Sequence, residues 1–214
     1  MKRFNSFPLF FKLLFAGLLL VAAPAQAQEA QKKLMVFGDS LVAGYGMAID
    51  EAFPAQLEKK LQADGHNIKV INAGVSGDTT SAGVTRLDWA LQQNPDYVIV
   101  VLGGNDMLRQ IDTKVTRENL EKILTKLKER KIPTLLAGMR AYRNMNDFFG
   151  GGFETIFEET ADKFDAVYYP FFLDGVALNA QYNLDDGIHP NPAGVNVIVE
   201  KIYDDVKKLL KRKE

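Results

Sequence analysis

The chain has 214 residues, 47% of them hydrophobic and 25% charged, with a formal net charge of -1 at pH 7. These are the proportions of a soluble globular protein with one good core, and the near-neutral balance excludes both a basic field for nucleic acid and a disordered polyanion. Cysteine is absent, which excludes thiol catalysis, disulfide staples and lipid attachment through an N-terminal Cys.

At the start, Lys2 and Arg3 precede an apolar run over residues 13–23, and Ala25-Gln26-Ala27 is a small-x-small cleavage signal before Gln28. The run is shorter than the roughly 20 apolar residues a membrane span needs. Residues 1–27 therefore read as a secretory signal peptide and 28–214 as the folded domain. That predicts a periplasmic or secreted protein with no stable membrane insertion after cleavage; an uncleaved anchor is the alternative.

From there, short apolar runs alternate with segments of helical period. The first strand is expected at 34–37, followed by "GDSL" (Gly38 to Leu41) and a helix whose buried stripe is Phe53, Leu57 and Leu61, with Pro54 in its first turn. A turn containing His66 leads into a strand at 68–72, then "NAGVSGDTT" and a stripe of Val84, Leu87 and Leu91 on a helix starting near Thr79. The third strand, 97–102, ends in "GGND" (Gly103 to Asp106). Thr116 is expected to cap the next helix, with Leu120, Ile123, Leu124 and Leu127 inward. A strand at 134–137, a loop at 140–152, a helix within 153–164 and a strand at 166–169 follow. "DDGIHP" then precedes a last helix, capped by Asn191 with Pro192 at its first position, whose basic end suits the helix dipole.

All five strands read as near-continuous apolar runs, the pattern of parallel strands buried on both faces. Alternation of β and α with right-handed crossovers implies a doubly wound α/β sheet with helices on both sides. Ligands of such sheets bind beyond the carboxyl ends of the strands, so chemistry is expected in the polar clusters that follow them.

A serine nucleophile needs a base, and the chain has two histidines. His66 leads into the amino end of a strand, the wrong edge; His189 follows the last strand, on the right one. Asp186, three residues earlier and separated by Gly187, can turn back to hold the imidazole, whereas Asp185 points elsewhere. Gly77, which lacks Cβ, offers a close backbone N–H, Asn105 a side-chain amide and Ser40 its own N–H as donors to an oxyanion. Taken singly, each cluster is equally a polar turn.

Together, "FGDSLVAGYG", "NAGVSGDTT", "LGGNDMLR", "YPFFLDGV" and "DDGIHPN" resemble the blocks of the SGNH hydrolases, the GDSL esterase/lipase family, and within it the exported arylesterase, thioesterase and lysophospholipase type. The resemblance covers essentially the whole of 28–214. It implies a flavodoxin-like three-layer α/β/α sandwich with a five-stranded parallel sheet, and hydrolysis of small-molecule or lipid esters, or thioesters, with no metal or organic cofactor. Position by position it implies Ser40 as nucleophile, His189 as base, Asp186 as its partner, and Gly77, Asn105 and the Ser40 amide as the oxyanion hole. Asp39 is read as part of the turn that holds the serine.

The loop 140–152, "RAYRNMNDFFGGG", departs from the thioesterase-type pattern and reads either as an acyl-binding wall or as a surface loop. Arg109 reads as a solvated or ion-paired rim residue, with contact to an anionic group as the alternative. Two rival functions fit parts of this pattern: a phosphoryl-transfer enzyme with Mg²⁺ on Asp39, Asp78 and Asp106, and a non-catalytic binding member of the fold. The first lacks a phosphate-cradling glycine motif, and the second would be expected to miss a triad or donor position.

Overall fold

The computed structural model of the chain describes residues 1–2, 30–141 and 152–213. Its centre is a five-stranded sheet: β1 (Lys32–Gly38), β2 (Ile68–Gly74), β3 (Tyr97–Val101), β4 (Thr134–Ala137) and β5 (Val167–Tyr169), in the order β2-β1-β3-β4-β5 with every pair parallel. β3 is "YVIVV" and buried at each position, because it is central and helices cover both faces. At the edge, β2 instead alternates: Ile68 and Val70 are buried while Lys69 points to water. An edge strand has only one covered face, so the uniform apolar reading of its sequence does not hold there.

Helices α1 (Ser40–Ala43), α2 (Phe53–Ala63), α3 (Thr80–Ala90), α4 (Gly104–Leu108), α5 (Thr113–Glu129), α6 (Thr155–Phe164) and α7 (Pro192–Leu210) complete the sandwich. α2 packs on α7 and α3 on α5, which also meets α6. The expected stripes face inward: Leu57 and Leu61 of α2, Leu120, Ile123, Leu124 and Leu127 of α5, and Val195, Ile198, Val199 and Ile202 of α7 are all buried. Thr79 caps α3 by accepting from the Ala82 N–H, and Asn191 caps α7 by accepting from the Gly194 N–H, as their sequence positions predict.

One capping expectation fails. α5 starts a turn earlier than expected, with Asp112 accepting from the Lys114 N–H, and Thr116 is fully buried within the helix. Nothing in "TKVT" breaks a helix, so it extends back to the stronger cap, and the Thr116 hydroxyl is free to donate to Asp106 at 3.2 Å.

The chain leaves β1 for β2 on one side and returns to β3 on the other. The carboxyl ends of β1 and β3 thus flank the point where strand order reverses. Ser40 follows β1, and Asn105 follows β3.

Candidate active site

Two residues after Gly38 closes β1, Ser40 becomes the first residue of the short helix α1. Asp39 caps that helix, its Oδ1 accepting the Leu41 N–H at 3.0 Å. Across the sheet, Asp186 accepts the backbone N–H groups of Ile188 and His189, each at 3.0 Å, through the turn at Gly187. The same turn brings Asp186 Oδ2 to 2.6 Å from His189 Nδ1, while His189 Nε2 stands 2.9 Å from Ser40 Oγ.

Serine, histidine and aspartate therefore form one hydrogen-bonded chain, with each ring nitrogen of His189 on a different partner. Burial pushes the Asp186 carboxyl up, but the backbone N–H groups of His189 and Ile188 and the His189 ring outweigh it and hold it at about 2. The carboxylate is thus ionised wherever the imidazole could need it. Asp185 is exposed, and His66 sits in the turn ahead of β2, at the opposite edge of the sheet.

The two expected donor loops meet beside the serine. Asn105 Nδ2 donates to the Asp78 carbonyl at 3.0 Å and to Asp39 Oδ2 at 3.3 Å. Gly77, the residue before Asp78, has φ +85°, a conformation that glycine adopts without strain. Arg109 is exposed, as expected of a rim residue, and also donates to the Gly77 carbonyl at 2.8 Å, which helps hold this loop.

Three supports were not anticipated. Arg86 donates to the Asp78 carboxylate and, at 2.8 Å, to the Gly38 carbonyl, with its guanidinium 4.1 Å from the Phe37 ring centre. It ties the Asp78 loop to the end of β1. Fully buried Asp106 accepts from the Thr80 N–H at 2.8 Å and from the hydroxyls of Thr80 and Thr116, tying the start of α3 to the residue next to Asn105. Asn119 donates to the Ser81 hydroxyl at 2.8 Å and completes the cluster. An arginine between Gly83 and Leu87, on the inward side of α3, was the one sequence signal of a buried ion pair.

Each carboxylate named in the Mg²⁺ reading has protein partners of its own. Asp39 is committed to Leu41 and Asn105, Asp78 to Arg86, and Asp106 to Thr80 and Thr116. The carboxylates are separate anchors rather than a shared ligand set, and among the described residues no His, Asp and Glu cluster could hold a metal ion.

Asp39 is more than a turn residue. It is 1% exposed, and burial raises its carboxyl to about 6 from 3.8, against the opposing pull of the Leu41 N–H, the Asn105 amide and the His189 charge; the Asp78 charge adds to the rise. A carboxyl with a raised folded-state value stabilises the fold while protonated, and that contribution is lost as pH rises through about 6. That rise corresponds to a stability difference on the order of 3 kcal/mol. Denaturant unfolding of the wild type and of Asp39→Asn at a series of pH values should show their stability difference moving by this order, against the wild type, between about pH 4 and pH 7.5. A difference that does not change with pH would contradict the assignment.

Ser40, Asn105 and His189 open onto a cavity of about 110 Å³ whose other walls are largely apolar, among them Leu41, Met107, Met139, Phe171, Leu173 and Ile188. Gly77 does not line it. Arg140 contributes from the start of the loop expected at 140–152, while residues 142–151 of that loop, with Phe148 and Phe149, lie outside the described residues. A larger groove, about 380 Å³, lies at the other edge of the sheet by Pro133, Thr134 and Ala166. It contains neither serine nor histidine.

Comparison with known proteins agrees with this geometry. The family model described as "GDSL-like Lipase/Acylhydrolase family" matches residues 36–197. The chain is 35% identical over 195 residues to the arylesterase of Vibrio mimicus, covering 91% of this chain and 98% of that one. It is 39% identical over 178 residues to thioesterase 1/protease 1/lysophospholipase L1 of Escherichia coli K12, covering 83% of each. Among solved structures, AlinE4, an SGNH-hydrolase family esterase, superposes with a TM-score of 0.72 at 42% identity, covering 86% of this chain and 99% of that one.

Proposed function

The chain belongs to the GDSL-like lipase/acylhydrolase family and is a carboxylic ester hydrolase, and from that premise we propose that it works through an acyl-enzyme on Ser40 and prefers short acyl groups. The observation that carries the mechanism is the continuous line from Asp186 through His189 to Ser40 Oγ. His189 Nε2 takes the hydroxyl proton as Oγ attacks the ester carbonyl, and Asp186 stabilises the imidazolium. The oxyanion is held by Asn105 Nδ2 with the backbone N–H groups of Ser40 and Gly77. Nε2 then returns the proton to the leaving oxygen as its bond to the acyl carbon breaks. Water activated by the same nitrogen releases the acid.

The preference for short acyl groups rests on the size of the cavity. Its volume of about 110 Å³ is small beside the roughly 300–1,000 Å³ of pockets that enclose larger ligands. Within that room each buried methylene is worth about 0.8 kcal/mol, or roughly fourfold. In a series of p-nitrophenyl esters from acetate to palmitate, kcat/KM should therefore climb over the first few carbons and then stop climbing. A continued rise to the long chains would overturn the short-acyl reading and favour a lysophospholipase-like preference.

Residues 1–27 act in this reading as an export leader, which places the enzyme in the periplasm or outside the cell; N-terminal sequencing of the exported protein tests it, Gln28 being the expected first residue. Among the described residues no helix is long and apolar enough to cross a membrane.

A further inference from the structure

His189 has a neighbour that the mechanism does not use. The ring of Tyr45 lies over the imidazole with centroids 4.4 Å apart and planes tilted by 32°. Tyr45 does not line the acyl-sized cavity, and it remains 51% exposed. A half-exposed aromatic face beside the proton donor needs an explanation.

Its position is built rather than incidental. The Gly44 and Tyr45 N–H groups both donate to the Ser40 carbonyl at 3.2 Å, so the turn that presents the serine also presents the tyrosine. Gly44 and Gly46, on either side, have φ +85° and +72°. A Cβ on Gly44 would come within 2.6 Å of the Ala52 Cβ, and one on Gly46 within 2.7 Å of Leu184 Cδ1. Leu184 in turn donates its N–H to the His189 carbonyl at 2.8 Å, so the tyrosine turn is packed directly on the segment that carries the histidine.

Proton transfer decides which part of the substrate meets this face. The oxygen that leaves must lie within reach of His189 Nε2, which protonates it as the bond to the acyl carbon breaks. With the acyl group in the cavity on the Leu41 and Met107 side, the leaving group extends past the imidazole toward the exposed tyrosine. We propose that Tyr45 is a specificity-determining residue: it is the aromatic platform on which the leaving group of an aryl ester packs, favouring aryl over alkyl esters of the same acid. This rests on the assignment of Ser40 and His189 given above. The contact is made before and during acylation and is gone once the alcohol or phenol has left, so deacylation does not use it.

The test compares phenyl acetate with ethyl acetate in the wild type, Tyr45→Leu and Tyr45→Phe, all as the full folded chain. Ring packing of this kind is worth roughly 3- to 10-fold, and Tyr45→Leu should lose that factor in kcat/KM on phenyl acetate while changing less than about twofold on ethyl acetate. Tyr45→Phe should keep the wild-type ratio, and the rate of deacylation, read after the burst with p-nitrophenyl acetate, should stay the same in all three. Equal losses on both esters, or slowed deacylation, would overturn the proposal and make Tyr45 a prop for His189. Undiminished phenyl acetate turnover in Tyr45→Leu would also overturn it. Failure of the underlying assignment looks different, because then an organophosphonate would not label Ser40 in the wild type at all.

Discussion

Ser40→Ala is expected to lower kcat on an aryl ester by about 10⁶-fold, the order seen when a serine hydrolase loses its nucleophile. The loss should come without loss of fold. Among the described residues the Ser40 side chain hydrogen-bonds to His189, while the cap of α1 is supplied by Asp39 and the helix tolerates alanine well. Thermal unfolding of the variant should therefore match the wild type. A folded Ser40→Ala protein with ordinary turnover would mean that the hydroxyl is not the attacking group. Residual activity well above background would point to water attacking directly, with His189 as its base.

Asn105→Ala is the second large effect, on the order of 100-fold or more in kcat, the scale for removing one preorganised oxyanion donor. In the resting site both N–H directions of the Asn105 amide are engaged, with Asp78 at 3.0 Å and with Asp39 at 3.3 Å. The longer bond is the one an oxyanion would displace, because it is at the outer limit of hydrogen-bond length and its acceptor keeps the Leu41 N–H. KM should change little, since the donor acts on charge that develops only in the transition state. A rise in KM with kcat preserved would show Asn105 to be a ground-state binding residue instead.

Much of this site is legible in the sequence because the fold concentrates it. Parallel strands send every βα turn to one edge, so "GDSL", "NAGVSGDTT", "GGND" and "DDGIHP" had to converge once the strands were recognised. Two histidines, one at each edge, left only His189 for the base. Asp186 was readable because its reach to the imidazole is local, through the turn at Gly187.

What escaped the sequence depends on packing. "GDSL" shows no sign that Asp39 would be nearly fully buried, since its side-chain partner Asn105 lies on α4, 66 residues along the chain, and is met only on folding. Thr116 reads as a cap because it precedes the apolar stripe directly, and nothing local shows that the helix runs back to Asp112; the partner that decides its role, Asp106, lies on another helix. The alternation of β2 follows from being an edge strand, a property of strand order and not of "IKVIN" itself. Tyr45 sits in plain view within "AGYG", yet its meaning comes from a histidine at the far end of the chain.

The most direct measurement of the central claim is to react the protein with a p-nitrophenyl alkylphosphonate, digest it and locate the adduct by mass spectrometry while following esterase activity. One phosphonyl group on Ser40, formed in step with loss of activity and formed far more slowly in His189→Ala, is the predicted result. An adduct on any other residue, or full activity in protein labelled stoichiometrically at Ser40, would contradict it.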